Sequence, residues 1–258
     1  MRIGANIVTG DWTDMLRAAQ EAERLGFDSI GTLDHYHTDK LEWPYVCGWS
    51  AYGAIAQATH HIRIVPMVID RMNYLPGVLA KETAILSIIS QGRFEPGIGA
   101  GDYFEEMHAW GLPVPDAKQR IDGLKETILA LRGIWQGKQV TFEGEYLHLH
   151  NAASTPIPPS LPHVVVGAGS SRNLIHSAVE YADEINVYAD DEIIRFVLHE
   201  IEASQRNIPL SVFVWDWPDN IANKLQEWEQ LGIERTFLTF FGPVNFEPGV
   251  KFLAQHRS

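Results

Sequence analysis

Short runs of β-branched and aromatic residues alternate with amphipathic stretches along the whole chain, the pattern of parallel strands joined by crossover helices. RIGANIV (Arg2 to Val8) predicts a first strand. The helix after it begins near Trp12, with Asp11 as N-cap, Leu16, Ala19, Ala22 and Leu25 on the apolar face, and Gly26 at its end. DSIGTLDH predicts a second strand with a helix through AYGAIAQAT, and IRIVPMVI a third, whose helix opens at Pro76 and carries Val78, Leu79, Ile85, Leu86 and Ile89. RFEPGIG predicts the fourth strand and AKQRIDGLKETILALRGIWQG its helix. VTFEGEYLHLHNA then reads as a small hairpin excursion and STPIPPSLP as an irregular connector. Beyond it HVVVGAG, EINVYA, PLSVFVWDW and RTFLTFF predict strands five to eight, with helices in SRNLIHSAVEYA, DDEIIRFVLHEIEAS, DNIANKLQEWEQLG and near EPGVKFLAQH.

Eight such units in 258 residues are the count and size of an α/β fold of one kind, a single (β/α)8 TIM barrel spanning residues 1–258, with the excursion between strands four and five. A split at the connector would leave two half-size sheets with exposed edges, which closure removes. In such barrels the chemistry gathers at the C-terminal ends of the strands. That groups Asp34, His35, Tyr36 and His37 with Met67 to Asp70, Gly99 to Asp102, Gly167 to Arg172, Tyr188, Trp215 to Trp217, Phe240 and Phe241.

A net charge of −13 and a pI near 5.2 argue against non-specific binding to nucleic acid or to an anionic membrane. A small molecule is the expected partner. Cys47 is the only cysteine, which excludes an intramolecular disulfide and a thiolate metal cluster and suits a reducing cytoplasm. No apolar run is long enough to cross a membrane.

In VVVGAGSSRN, Gly167, Ala168, Gly169, Ser170 and Ser171 lie where a strand runs into a helix, so free N–H groups and hydroxyls there can hold a phosphate. A glycine turn with a serine N-cap is the alternative. In GIGAGD the glycines 97, 99 and 101 alternate and Asp102 follows, which is not the spacing of a dinucleotide fingerprint. At the end of a barrel strand, Gly99 and Gly101 would instead let a ring system approach the backbone. His35 and His37 share one face of a strand, a metal-site spacing. The further ligands are missing, because strands six and eight end in Tyr188 and Phe240 and His163 stands at the wrong end of strand five. No metal is expected. Asp34 and His35 with the carboxylates Asp102, Glu105 and Glu106, a phosphate-type loop and apolar walls suit a planar redox cofactor with a phosphate tail. Trp215, Trp217, Tyr188 and Phe240 offer an aromatic pocket, with core packing as the competing reading.

These residues resemble the luciferase-like monooxygenase superfamily, especially its short members that use coenzyme F420. The likeness lies in GFDSIGTLDH, IRIVPMV before Pro76, LAKETAILSIIS, SQGRFEPGIGAG with Glu106 and Gly111, VTFEGEYLHL and VVVGAGSSRNLIHSAVEYADEIN. The resemblance implies a flavin or deazaflavin ring lying against strand three at a non-proline cis peptide, which matches Met67–Val68. It implies phosphate contacts at Gly167, Gly169, Ser170 and Ser171 and a strand-two histidine at His35. The chain departs from the family at Tyr74 and Leu75 before Pro76, at Gln91, and at Asp102, where a tryptophan is usual. The activity implied is hydride transfer between coenzyme F420, an 8-hydroxy-5-deazaflavin, and a small organic substrate. The alternatives are an FMN-dependent monooxygenase and a flavin-binding barrel with little activity. His35 and Asp102 are the expected proton-transfer residues, with Asp102 requiring partial desolvation to act as an acid. Glu106 is expected to be a structural partner of the loop. A homodimer is implied as well.

Overall fold

The computed structural model describes residues 1–36, 44–247 and 249. His37 and nearly all of the last expected helix lie outside the described residues. In chain order the elements are β1 (Arg2–Val8), α1 (Trp12–Leu25), β2 (Ser29–Gly31), α2 (Trp49–Ala58), β3 (Arg63–Ile64), β4 (Ile69–Asp70), a short 3-10 turn (Arg71–Asn73), α3 (Pro76–Ile89), β5 (Gly97–Gly99), α4 (Phe104–Ala109) and α5 (Ala117–Trp135). They continue with the hairpin β6 (Val140–Glu143) and β7 (His148–Ala152), then β8 (Val165–Gly169), α6 (Arg172–Ala178), β9 (Glu184–Tyr188), α7 (Asp191–Ser204), β10 (Leu210–Val214), α8 (Ile221–Gln230) and β11 (Arg235–Phe241).

All pairings in the main sheet are parallel, in the order β3-β2-β1-β11-β10-β9-β8-β5-β4. β3 and β4 are two halves of one barrel strand. Between them Val65 N donates to Ile30 O at 2.8 Å and Met67 N to Thr32 O at 3.0 Å, while on the other side Glu95 N donates to Ile64 O at 2.9 Å. The third strand thus meets β2 on one side and β5 on the other, and the ring closes as an eight-stranded barrel. The antiparallel β6–β7 hairpin stands outside it, as the sequence pattern predicts.

Alternation along each strand separates two apolar cores. One face of each strand packs against the helices, as Ile3, Ala5 and Ile7 do on β1. The other face fills the barrel, where Val8, Leu33, Val65, Met67, Val165, Phe213 and Phe237 form one cluster. Side-chain charge closes the N-terminal end: Arg235, fully buried, holds Glu184 at 2.5 Å and Glu95 at 2.8 Å.

Two expectations need correction. On α1 the buried residues are Met15, Ala18, Ala19 and Ala22, so the stripe is centred on smaller side chains than predicted, and Leu16 flanks it. Three alanines let the helix lie close to the sheet. On β11 the alternation sends Phe237 into the barrel and Phe240 outward, where Phe240 packs on Phe27, Phe246 and Trp217 with ring centroids 5.8, 4.7 and 5.0 Å away. Phe240 is therefore a core residue and Trp217 packs half-buried against it, and neither lines the mouth. Among the described residues no helix is long and apolar enough to cross a membrane.

Candidate active site

The third barrel strand shapes the floor of the mouth. The Met67–Val68 peptide is cis, as the resemblance implies, and the Val68 side chain lies over two glycines of neighbouring strands. A Cβ on Gly99 would come within 2.7 Å of Val68 Cγ2, and one on Gly167 within 2.6 Å of Val68 Cγ1. Real Cβ contacts do not reach such distances. These two glycines therefore make room for strand three itself, a different reason from the one the sequence suggests. Val68 packs from above on the barrel cluster, together with Tyr45 and Trp215. Gly101 turns the chain at φ 91 toward Asp102.

At the end of the second strand, the period-two alternation splits Asp34 from His35. His35 faces the mouth, half-buried, with its ring edge-on to Tyr103 at 5.2 Å. Its Nδ1 lies 3.4 Å from Glu106 Oε2, an ion-pair separation without a closed hydrogen bond. Glu106, 1% exposed, reaches in from α4 and accepts from Tyr36 N at 3.0 Å and Asn73 Nδ2 at 2.7 Å. It thereby joins three separate mouth segments. Burial lowers the pKa of His35, but the near-contact with Glu106 and the charges of Glu106, Asp102 and Asp34 leave it raised overall.

Asp34 points away from the mouth. Tyr74 Oη donates to it, at 3.1 Å from Oδ1 and 3.0 Å from Oδ2, and burial pushes the carboxyl up to about 7. Tyr74 is one of the departures noted in the sequence, and here it is the partner of a deeply buried acid. Asp70, accepting from Met72 N at 2.8 Å, is raised to about 6 by burial first and then by the charges of Asp102 and Glu106. Asp102 itself is exposed, so the desolvation its expected role requires has to come from a molecule placed over it. Asn73 and Tyr74 are functional neighbours that the strand-end pattern does not reach; their signal is the RMNY turn that follows Asp70.

On the far side of Val68, β8 ends at Gly169, with φ 54, and Ser171 Oγ caps α6 by accepting from Leu174 N at 3.3 Å. Ser170, Ser171 and Arg172 are exposed there. The Ser170 and Ser171 hydroxyls at this turn suit the phosphate of a cofactor tail, whereas the Arg172 guanidinium lies over the Phe196 ring, 4.9 Å from its centroid. Val68 on its two glycines fits a flat ring. Beyond Gly169 the wall is aromatic, as Tyr188, Phe213, Trp215 and Phe241 follow one another around the rim. The cluster of Glu95, His163 and Glu184 lies at the opposite, N-terminal end, engaged by Arg235.

A family model described as luciferase-like monooxygenase matches residues 1–211. The chain belongs to the luciferase-like monooxygenase family. Among individual relatives, the F420-dependent glucose-6-phosphate dehydrogenase of Amycolatopsis mediterranei (strain U-32) is 30% identical over 164 residues, which cover 60% of this chain and 47% of that one. The chain spans about half the length of the curated relatives it matches. Two solved structures share the fold over 98% of this chain and 97% of their own. One is an F420-dependent secondary alcohol dehydrogenase in complex with an F420–acetone adduct, with a TM-score of 0.83 and 19% identity. The other is a monooxygenase from Streptomyces bottropensis, with a TM-score of 0.81 and 16% identity.

Proposed function

We propose that this luciferase-like protein is an oxidoreductase that moves a hydride between coenzyme F420 and a small organic substrate. The observation that carries the reading is the arrangement of the mouth. A half-buried histidine backed by a buried glutamate stands at the strand ends on one side of the Val68 shelf, and the serine turn at the end of β8 stands on the other. The names of the relatives with detectable sequence identity support the deazaflavin over FMN.

When bound, the deazaflavin supplies a ring carbon that accepts or gives a hydride. Val68 and its neighbours would hold the ring face, and Ser170 and Ser171 would hold the phosphate. His35 takes or returns the proton of the substrate hydroxyl, with Glu106 stabilising its charged form, and Asp102 is the second group able to do so. Titrating the purified protein with coenzyme F420 and with FMN tests the assignment. F420 is expected to bind more tightly by at least about tenfold, or about 1.4 kcal/mol. A preference for FMN would replace the reading with a flavin monooxygenase.

A second copy of the chain is the partner we propose. The outward face of α3 leaves Leu75, Val78 and Ile88 exposed, with Lys81 among them, while Leu79 and Leu86 are buried. Apolar side chains gathered on an exposed helix face are suited to a partner surface. Val78→Glu should shift the protein toward monomer in sedimentation equilibrium, and an unchanged mass would remove α3 from the interface.

A further inference from the structure

We propose that Asn73 is a positioning residue: by holding Glu106 it fixes the Nδ1–H form of His35, so that Nε2 is the nitrogen that exchanges the proton accompanying hydride transfer. The use of that proton rests on the oxidoreductase reading above, whereas its placement on the ring does not.

The turn that carries Asn73 is pinned on both flanks. Asp70 opens it, accepting from Met72 N at 2.8 Å, and Tyr74 N closes it on Arg71 O at 3.3 Å. The Tyr74 hydroxyl is tied in turn to Asp34 on the second strand, at 3.0 Å. Asp34 and Asp70 are both buried, so the turn between them has little freedom. Asn73 reaches from it to α4, where its Nδ2 donates to Glu106 Oε1 at 2.7 Å. The amide must present its N–H there, because an ionised carboxylate only accepts.

Each oxygen of Glu106 has its own task. Oε1 takes Asn73, and Oε2 takes Tyr36 N at 3.0 Å while lying 3.4 Å from His35 Nδ1. Donors on both oxygens favour the ionised form, since a carboxylic acid would have to give its own proton to an acceptor. That charge decides which imidazole nitrogen keeps a proton. His35 Nδ1 is buried and closes no hydrogen bond, and a lone pair on it would point at the lone pairs of Oε2. A proton on Nδ1 turns this repulsion into attraction. Neutral imidazole then carries its lone pair on Nε2, and Nε2 alone gains and loses a proton as His35 titrates. A ring flip, which would trade Nδ1 for Cδ2, is opposed by Tyr103, edge-on with its centroid 5.2 Å away, and by Tyr45 at 6.1 Å.

Among the described residues, the charges that bear on His35 are Glu106 from α4, Asp102 after β5 and Asp34 from its own strand. Glu106 also acts on Tyr36, Cys47 and Asp70. Of the three carboxylates around His35, Glu106 alone stands at ion-pair distance from an imidazole nitrogen. Asp34 and Asp102 therefore change how readily His35 takes a proton, while Glu106, with Asn73 behind it, also selects the atom.

Imidazole nitrogen NMR on the cofactor-free protein tests the proposal. At a pH above the titration of His35, the wild type should show a protonated Nδ1 and an unprotonated Nε2. The opposite tautomer overturns the proposal before any variant is made. Asn73→Leu keeps the volume and removes the donor. With the charged form of Glu106 less well held, the His35 midpoint should move to lower pH by about one pH unit, the worth of one charge-assisted hydrogen bond, and the two tautomers should mix. Asn73→Gln, which keeps the amide, should restore both signals. In turnover with F420, the pH limb of kcat/KM governed by His35 should move with the NMR midpoint. A folded Asn73→Leu protein whose midpoint and tautomer match the wild type overturns the positioning role, and Asn73→Ala is read the same way should the leucine variant not fold. Failure to bind or turn over F420, with the NMR results as expected, overturns the cofactor reading and leaves the positioning of His35 standing.

Discussion

Burial pulls the His35 imidazole down, while the near-contact with Glu106 and then the charges of Glu106, Asp102 and Asp34 raise it, and the second set wins. Glu106→Gln keeps the shape and removes the charge, so the pH limb of kcat/KM governed by His35 protonation should move to lower pH. His35→Ala should lower kcat by about 100-fold or more, as loss of a general acid–base group does. A Glu106→Gln profile that falls in height without moving along the pH axis would reduce Glu106 to a structural strut. A second residue-level test concerns Val68. Gly167→Ala should cost about 1–3 kcal/mol by overpacking, and Val68→Ala should remove most of that cost, so urea unfolding of the double variant should depart from the sum of the singles. The strand-end positions of His35 and Asp102 were legible in the sequence, whereas Asp34, expected beside the cofactor, is buried behind them on Tyr74 because side chains alternate along the strand. Glu106 was legible only as a loop partner, and the purpose of Gly99 and Gly167 was not, since a glycine's reason lies in the atom opposite it.

Periodicity delivered the elements almost in full, from the Asp11 cap, which accepts from Asp14 N at 3.0 Å, to the hairpin between strands four and five. It erred where two faces of an element compete. α1 buries Met15 and Ala18 while Leu16 flanks the stripe, and the paired phenylalanines of β11 could be assigned inward or outward only once the barrel register was known. The interruption of the third strand leaves no trace in the sequence, because IRIVPMVI is apolar at nearly every position. The hairpin yields an element-scale prediction. Glu126, on α5, accepts from the N–H groups of Glu145, Tyr146 and Leu147 at 2.7, 2.9 and 2.8 Å, gathering the β6–β7 turn onto the helix. Glu126→Ala strands three donors at once, each charge-assisted bond being worth about 1.5–3 kcal/mol when buried and less in this half-exposed place. Amide exchange in residues 140–152 should accelerate selectively, with F420 affinity unchanged. Uniform acceleration across the barrel would show instead that α5 itself depends on the contact.

Across the whole molecule, the closed end of the barrel opposes the mouth in chemistry as well as position. Arg235, Glu184, Glu95 and His163 converge there from the starts of different strands, with partners as far as 140 residues apart in the chain, a separation that no local pattern reveals. Burial pushes Glu184 up, but its bond to His163 and the charge of Arg235 hold it at about 2, below the usual value of about 4.3. Its stabilisation is complete above that usual value and is lost as pH falls toward 2. His163 runs the other way. Burial lowers it, yet Glu184, Glu95 and Asp183 leave it raised overall, so its contribution is complete below about 6.5 and disappears as pH rises through the folded-state value. The plug should therefore be strongest between about pH 4.3 and 6.5. Glu184→Gln leaves Arg235 short of a counter-charge in a dry site, at a cost of about 3–5 kcal/mol. His163→Gln separates the two limbs. It should abolish the stability lost above pH 6.5 in the wild type, and it should start acid unfolding at higher pH, because Glu184 loses the hydrogen bond that helps hold it down. Urea unfolding across a pH series measures both limbs. A variant whose stability curve runs parallel to the wild type through both limbs would mean that Arg235 alone holds the closed end together.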